Sequence, residues 1–254
     1  MRDMSAIMAA AMGQVMASAD GDRVMSGIAP LDEAVGGLAP GELLVLAGRP
    51  QMGASELALS MALGAAASGV AVLWMGGEWH PAQLGVRLLC AEAKVCLDRV
   101  RRGVLRGADL ERLREARQLL GALPISMGSV ADVSPDIGLV VWDRPDLEGR
   151  MMVGQYAVAR WVAGQCPVIV TLGIAPVAPG EFGGDVRPYM SSVDVSFASA
   201  DAVLLVHRPE FYNPDTRDQG VTHVTGRVGR CGARCMLRDF PEWGGFAPLP
   251  RADR

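Results

Sequence analysis

Gly48, Arg49, Pro50, Gln51, Met52, Gly53, Ala54 and Ser55 run in a pattern of two glycines and a hydroxyl that suits a backbone wrapped around an anion. Such a loop uses glycines so that N–H groups approach closely, a lysine for the outer phosphates, and a Ser or Thr for Mg²⁺ where the next helix starts. Gly48, Gly53 and Ser55 meet three of these demands, and Ala54 stands where the lysine belongs. Asp143 closes an apolar run, residues 138–142, and is a candidate to organise the metal from a neighbouring strand tip. Alone it reads better as a turn or cap residue. Its register with the loop carries the assignment.

These residues need a particular scaffold. Residues 43–47 (LLVLA) are apolar at every position, the pattern of a strand buried on both faces. After the turn 48–53, residues 54–68 read as an alanine-rich helix and 70–75 (VAVLWM) as a second strand, which makes a βαβ unit and so a parallel sheet. Helices are predicted over 81–93 and 108–123, the second with Leu110, Leu113, Leu119 and Leu120 inward and arginines outward. A strand at 138–142, a helix at 149–164 and strands at 167–171, 202–206, 222–228 and 234–237 complete the reading. The fold class is α/β, a mostly parallel central sheet flanked by helices around one core. Residues 172–191, rich in Gly and Pro, form the one long irregular stretch, of a kind that is functional or disordered in a compact domain.

Half of the 254 residues are hydrophobic, ample for one large domain. The net charge of -4 leaves no global basic field, which weighs against strong unaided binding to nucleic acid. Lys94 is the single lysine, so no adjacent lysine supplies the charge lacking at position 54. Cys90, Cys96, Cys166, Cys231 and Cys235 show neither a disulfide framework nor paired metal spacing; they read as reduced thiols of a cytoplasmic protein, with no structural metal. Near the N-terminus, Ala17 to Ala19 imitates a signal-cleavage site, but Asp3 and Gln14 interrupt the regions a signal would need. Met4, Ile7, Met8, Ala11, Met12, Val15 and Met16 instead fall at spacings of three and four, one apolar helical stripe that must bury against its own domain or a neighbouring subunit. No run is long and apolar enough to span a membrane.

GIAPLDEAVGGLAPGELLVLAGRPQMG, followed by WMGGEWHPAQLGVRLLCAEAKVCLDRVRRGVL, resembles the C-terminal RecA-type motor domain of the DnaB family of hexameric replicative helicases. The resemblance runs in order over about residues 27–246. It implies a RecA-like P-loop NTPase fold over 27–254, with 1–26 as a helix and linker that docks on a neighbouring subunit. Further implications are ATP and Mg²⁺ as the cofactors of any nucleotide-bound state, and assembly into a homo-oligomer such as a hexameric ring or with an active DnaB-type helicase. Single-stranded DNA is the implied nucleic-acid partner. Carried over by position, Glu78 matches the glutamate that polarises the attacking water, and Ser55 and Asp143 match the metal-holding pair. Arg227 and Arg230 match the region of the late Lys-x-Arg pair that reaches the adjacent subunit's nucleotide.

The departures converge on phosphate charge. Besides Ala54, Thr171, Leu172 and Gly173 replace a Ser-Gln-Leu whose glutamine senses the outer phosphate. Arg227 keeps the first trans charge, but Gly229 occupies the second position and Arg230 lies one residue on, which on an extended strand is the opposite face unless a bulge intervenes. The stretch GEFGGDVRPYMSSVDVSFASAD keeps Arg187, Pro188 and Asp201, loses an Arg-Glu pair, and carries Glu181 and Asp185, which repel DNA phosphate. Residues 127–138 are shorter than in the family, and Trp74, Trp79, Trp142 and Trp161 read as core or rim residues, not base-stacking platforms. The favoured expectation is a DnaB-like pseudo-ATPase that acts in or regulates replication or recombination as a ring-forming or ring-binding subunit. The alternative is an active helicase motor subunit in which an arginine substitutes for the loop lysine.

Overall fold

The structure, a computed structural model, describes residues 3–19, 23–77, 79–145, 153–174 and 200–250. Within them one nine-stranded sheet runs in the order β3-β2-β4-β5-β1-β6-β7-β8-β9. Its strands are β1 (Leu43–Gly48), β2 (Val72–Gly76), β3 (Ile125–Gly128), β4 (Leu139–Asp143), β5 (Val168–Gly173), β6 (Ala202–His207), β7 (Val221–Val228), β8 (Cys231–Phe240) and β9 (Gly245–Pro248). Every pairing from β3 across to β6 is parallel, and β7, β8 and β9 continue the sheet antiparallel. The helices are α1 (Met4–Ala19), α2 (Ala29–Val35), α3 (Ala54–Ala67), α4 (Pro81–Ala93), α5 (Leu97–Arg102), α6 (Gly107–Leu120) and α7 (Val153–Ala163). The α/β class and the mostly parallel sheet are as the apolar runs predict.

Period-two alternation divides the core. Along β1, Leu44 and Leu46 pack with Leu57, Trp74 and Leu204 on the α2–α3 face, while Leu43, Val45 and Ala47 pack with Val140, Val162 and Val203 on the α7 face. With both faces covered, β1 has no exposed position. Small residues let α3 sit close: a Cβ on Gly64 would fall 1.8 Å from the Ser26 carbonyl oxygen, so only glycine fits that crossing. This contact holds the helix that starts at the phosphate-type loop.

Beyond the central sheet, one expectation changes. In α6 the inward line is Asp109, Leu113, Ala116 and Leu120, whereas Leu110 and Leu119 are exposed at 42% and 59%. The reason is α4, which α6 packs against through one narrow stripe, so leucines one position off it face outward. Asp109 tolerates burial because the Arg106 N–H caps onto it and Arg112 and Arg99 pair with it at 2.6 and 3.1 Å; the N–H bond first, then the guanidinium partners, hold its carboxyl below the usual range. Four elements, α2, α5, β3 and β9, are too short to show a period and are absent from the sequence reading. The helix expected at 149–164 is seen from Val153 onward, and the irregular stretch 175–191 lies outside the described residues.

Candidate functional site

The turn after β1 sits at the carboxyl edge of the parallel strands, the edge at which open α/β sheets take ligands. Gly48 ends β1, Arg49 and Pro50 leave it, and Gln51 and Gly53 adopt left-handed backbone at φ 66° and 90°. Such a left-handed turn curls successive N–H groups toward a common concavity. Met52 is buried beneath the turn and its N–H is used by the Arg49 carbonyl at 3.2 Å. Gly53 is the N-cap of α3 and has no side chain to cap it, so the N–H groups at Gly53, Ala54 and Ser55 keep the anion-binding capacity of a helix start. A Cβ on Gly53 would lie 3.2 Å from the Phe246 ring of β9.

Ser55 and Asp143 meet. The Ser55 hydroxyl donates to Asp143 Oδ1 at 2.6 Å, and the Thr171 hydroxyl donates to the same oxygen at 2.5 Å while accepting from the Arg144 N–H at 2.9 Å. Asp143 and Thr171 are buried, and the carboxylate is fixed by hydrogen bonds from the first turn of α3 and from β5. A hydroxyl that donates to a carboxylate retains oxygen lone pairs for a cation, so this pair fits Mg²⁺ chemistry. Gly76 pairs with Asp143 in register, and Cβ atoms at Gly76 and Gly77 would fall 2.7 and 2.6 Å from Asp143 oxygens; glycines there let the carboxylate lie against β2. Glu78, the candidate for water activation, lies outside the described residues. Thr171 and Arg144 are additions: Thr171 was read only as one of three residues replacing a polar sensor motif, yet it anchors the metal-type aspartate. Arg144 takes φ 44°, and its guanidinium lies 3.1 Å from where a Gly173 Cβ would be, beside the site.

Next to the turn is a cleft of about 210 Å³ lined by Gln51, Gly53, Arg87, Arg208, Asp239 and Phe246 among others. Its cations are engaged. Arg87 pairs with Glu56 at 3.3 Å and lies 4.2 Å over the Trp79 ring. Arg208 pairs with Glu210 at 2.5 Å and with the buried Asp239 at 2.7 Å. Burial pushes the Asp239 carboxyl above its ordinary range, with Arg208 and the Thr222 hydroxyl at 3.0 Å pulling it back. The Gly220 N–H, foremost, and then Arg208 hold Glu210 below its ordinary range. Arg49 lies 5.1 Å from the centre of the Tyr212 ring. Among the described residues that line the cleft the arginines are paired, and two carboxylates, Glu56 and Asp239, line it as well.

Residues 23–136 match the DnaB-like helicase C-terminal domain family. Replicative DNA helicase DnaB of Leifsonia xyli subsp. xyli is 32% identical over 135 residues, covering 51% of this chain and 29% of that protein. Over residues 23–136 the chain is similar to the DnaB-like helicase C-terminal domain. Replicative DNA helicase DnaB of Geobacillus stearothermophilus aligns over 268 residues at 25% identity, covering 90% of this chain and 57% of that one. The chain therefore spans less than two thirds of the length of either relative. In fold it is similar to the ATPase domain of G40P, with a TM-score of 0.80, 20% identity, and coverage of 98% and 100% of the two chains.

The DnaB-like core places its late arginines far from its own loop. β7 runs antiparallel to β6, with Val203 opposite Arg227 and Ala202 opposite Val228, whereas the loop follows Gly48 opposite Val206. The β7–β8 turn is thus at the other end of the strands. Val228 pairs directly with Cys231, so Gly229 and Arg230 form a two-residue turn and there is no bulge. Arg230 is exposed at the tip, while Arg227 donates to the Ala200 carbonyl at 3.1 Å. Asp201 is occupied too, accepting the Leu43 N–H at 2.8 Å and Arg160 at 2.7 Å. Arg187, Pro188, Glu181 and Asp185 lie outside the described residues. Trp74 is core, Trp79 stacks on it at 6.0 Å and Trp161 is exposed. Among the described residues no helix is long and apolar enough to cross a membrane.

Proposed function

We propose that this DnaB-like core is a pseudo-ATPase, with ATP hydrolysis lost or strongly reduced, that acts in or regulates DNA replication or recombination as a ring-forming or ring-binding subunit. The observation that carries the reading is the charge state of the cradle. Ala54 presents a methyl group, and Arg87 and Arg208 beside it are matched by Glu56, Glu210 and Asp239. Arg227 and Arg230 lie at the end of the sheet opposite their own loop, so any contact they make with a nucleotide is with that of a neighbouring subunit.

The backbone turn, Ser55 and Asp143 fit a nucleotide polyphosphate with its Mg²⁺; the residue at the lysine position does not. ATP would be held by the N–H groups of Gly53, Ala54 and Ser55, with Ser55 and Asp143 on the metal side. A charge-assisted hydrogen bond contributes about 1.5–3 kcal/mol, so its loss weakens binding roughly ten- to a hundredfold. The loss is larger for turnover, since charge accumulates on the phosphoryl oxygens in the transition state and a preorganised cation acts there.

The intact Ser55–Asp143 pair favours one second reading, an active ATP-dependent helicase motor in which an arginine from a neighbouring subunit, with Arg230 the exposed candidate, replaces the lysine. Single-strand-stimulated ATPase measured on protein free of host helicase separates the two. Negligible turnover is expected, and robust hydrolysis abolished by Arg230→Ala would establish the motor reading. In parallel, calorimetry with Mg-ATP should show Ala54→Lys binding roughly ten- to a hundredfold tighter than wild type. Equal binding by both proteins would remove the phosphate from this turn.

A further inference from the structure

Arg208 is placed by the sheet. It follows β6, whose register sets Val206 beside Gly48, and its N–H lies 3.4 Å from Met52 Sδ inside the loop. Its guanidinium borders the same cleft as Gln51 and Gly53. It is thus an arginine of this chain next to the cradle that lacks a cation, yet it is 16% exposed and gripped from two sides, by Asp239 from β8 and by Glu210 from the turn after β6. Both carboxylates are themselves fixed, Asp239 by the Thr222 hydroxyl at 3.0 Å and Glu210 by the Gly220 N–H at 2.6 Å. They are therefore not free to swing away when an anion arrives.

We propose that Arg208 is a latent phosphate-binding cation for a nucleoside triphosphate or similar polyphosphate, withheld from the loop by Asp239 and Glu210. This rests on the reading of residues 48–55 as a phosphate cradle and adds the reason that the nearby arginine does not compensate for Ala54. The geometry supplies each part. The stem of Arg208 leaves the backbone against Met52, the cleft is continuous from Asp239 to Gly53, and a guanidinium fork suits phosphate oxygens as well as it suits carboxylates. Asp239 Oδ2 lies 2.7 Å from Arg208 Nε as an ion pair, and a carboxylate held in the same chain competes with a dissolved anion at high effective concentration.

The experiment is calorimetry of the full chain with Mg-ATP and with inorganic tripolyphosphate. Asp239→Asn keeps the side-chain shape and the bond to Thr222 while removing the charge, and Glu210→Gln loosens the same guanidinium from its more exposed side. Circular dichroism melts confirm that each variant folds. Asp239→Asn is expected to bind both ligands at least about tenfold more tightly than wild type, Glu210→Gln by a smaller factor, and the double variant Asp239→Asn with Arg208→Gln to lose the gain. Should Asp239→Asn fail to fold, Glu210→Gln with and without Arg208→Gln decides the matter. No gain in a folded variant, or a gain that persists without Arg208, overturns the proposal. Ala54→Lys run alongside separates the two readings: if it alone binds, the latch is wrong and the cradle stands; if none of the variants binds, the cradle falls as well.

Discussion

A methyl group at position 54 leaves the loop with backbone N–H groups for anion binding, and these hold charge without moving with it. Ser55 and Asp143 are joined by a 2.6 Å bond, the arrangement that the metal side of the proposed site requires. The loop and these two residues were legible because their spacing is local. Thr171 was not, since its role depends on a neighbouring strand bringing its hydroxyl to Asp143. Cys90, Cys96, Cys166, Cys231 and Cys235 are free thiols. Cys231 is exposed, whereas burial pushes Cys166 and Cys235 up to about 11 and raises Cys90 as well. A thiol whose pKa is raised stays protonated and unreactive until the pH approaches that value. Iodoacetamide at about pH 8, below the raised values and near the ordinary cysteine pKa, should therefore label Cys231 first, with Cys166 and Cys235 modified only on unfolding. Peptide mapping by mass spectrometry reads this, and native labelling of Cys166 as fast as Cys231 would contradict the packing.

Among the elements, α3 carries the site because of how tightly it is seated. Gly64 meets the Ser26 carbonyl so closely that Gly64→Ala must push the helix or the 26–27 segment away. Overpacking of this kind costs about 1–3 kcal/mol, and more where backbone must move. Chemical denaturation should show a loss of at least that size, and a neutral result would mean that α3 is not seated as described. The hairpin of β7 and β8 makes a different point. The one-residue offset of Arg230 was visible in the sequence, but whether a bulge would cancel it was not, because pairing register belongs to two strands at once. The direct pairing of Val228 with Cys231 puts Arg230 on the turn and not on a strand face. α6 shows the same limit: its helical period was clear, yet the width of the stripe that α4 covers decided that Leu110 and Leu119 face outward.

Over the whole molecule, the net charge of -4 gives no overall basic field, so contact with nucleic acid would fall to local groups and backbone. α1 is the other large-scale feature. Met4, Met8, Met12 and Met16, four residues apart on one face, are 68%, 54%, 59% and 50% exposed. We propose that residues 1–26 form a docking arm for a neighbouring subunit of the 27–254 domain, methionine being suited to an adaptable apolar contact. Deleting residues 4–16 should lower the molar mass measured by light scattering over a concentration series. An unchanged mass would assign the arm to packing within one chain.

What the residue order determined alone was everything that depends on neighbours along the chain: the strands buried on both faces, the parallel βαβ unit, the glycine and hydroxyl intervals of the loop, and the missing lysine. Only the tertiary structure decided which charges meet. Hydrogen bonds and ion pairs act at about 3 Å, a distance set by strand order and register between segments remote in sequence. That is why Arg208 finds Asp239 beside an empty lysine position, while Arg227 and Arg230 are carried to the far end of the sheet.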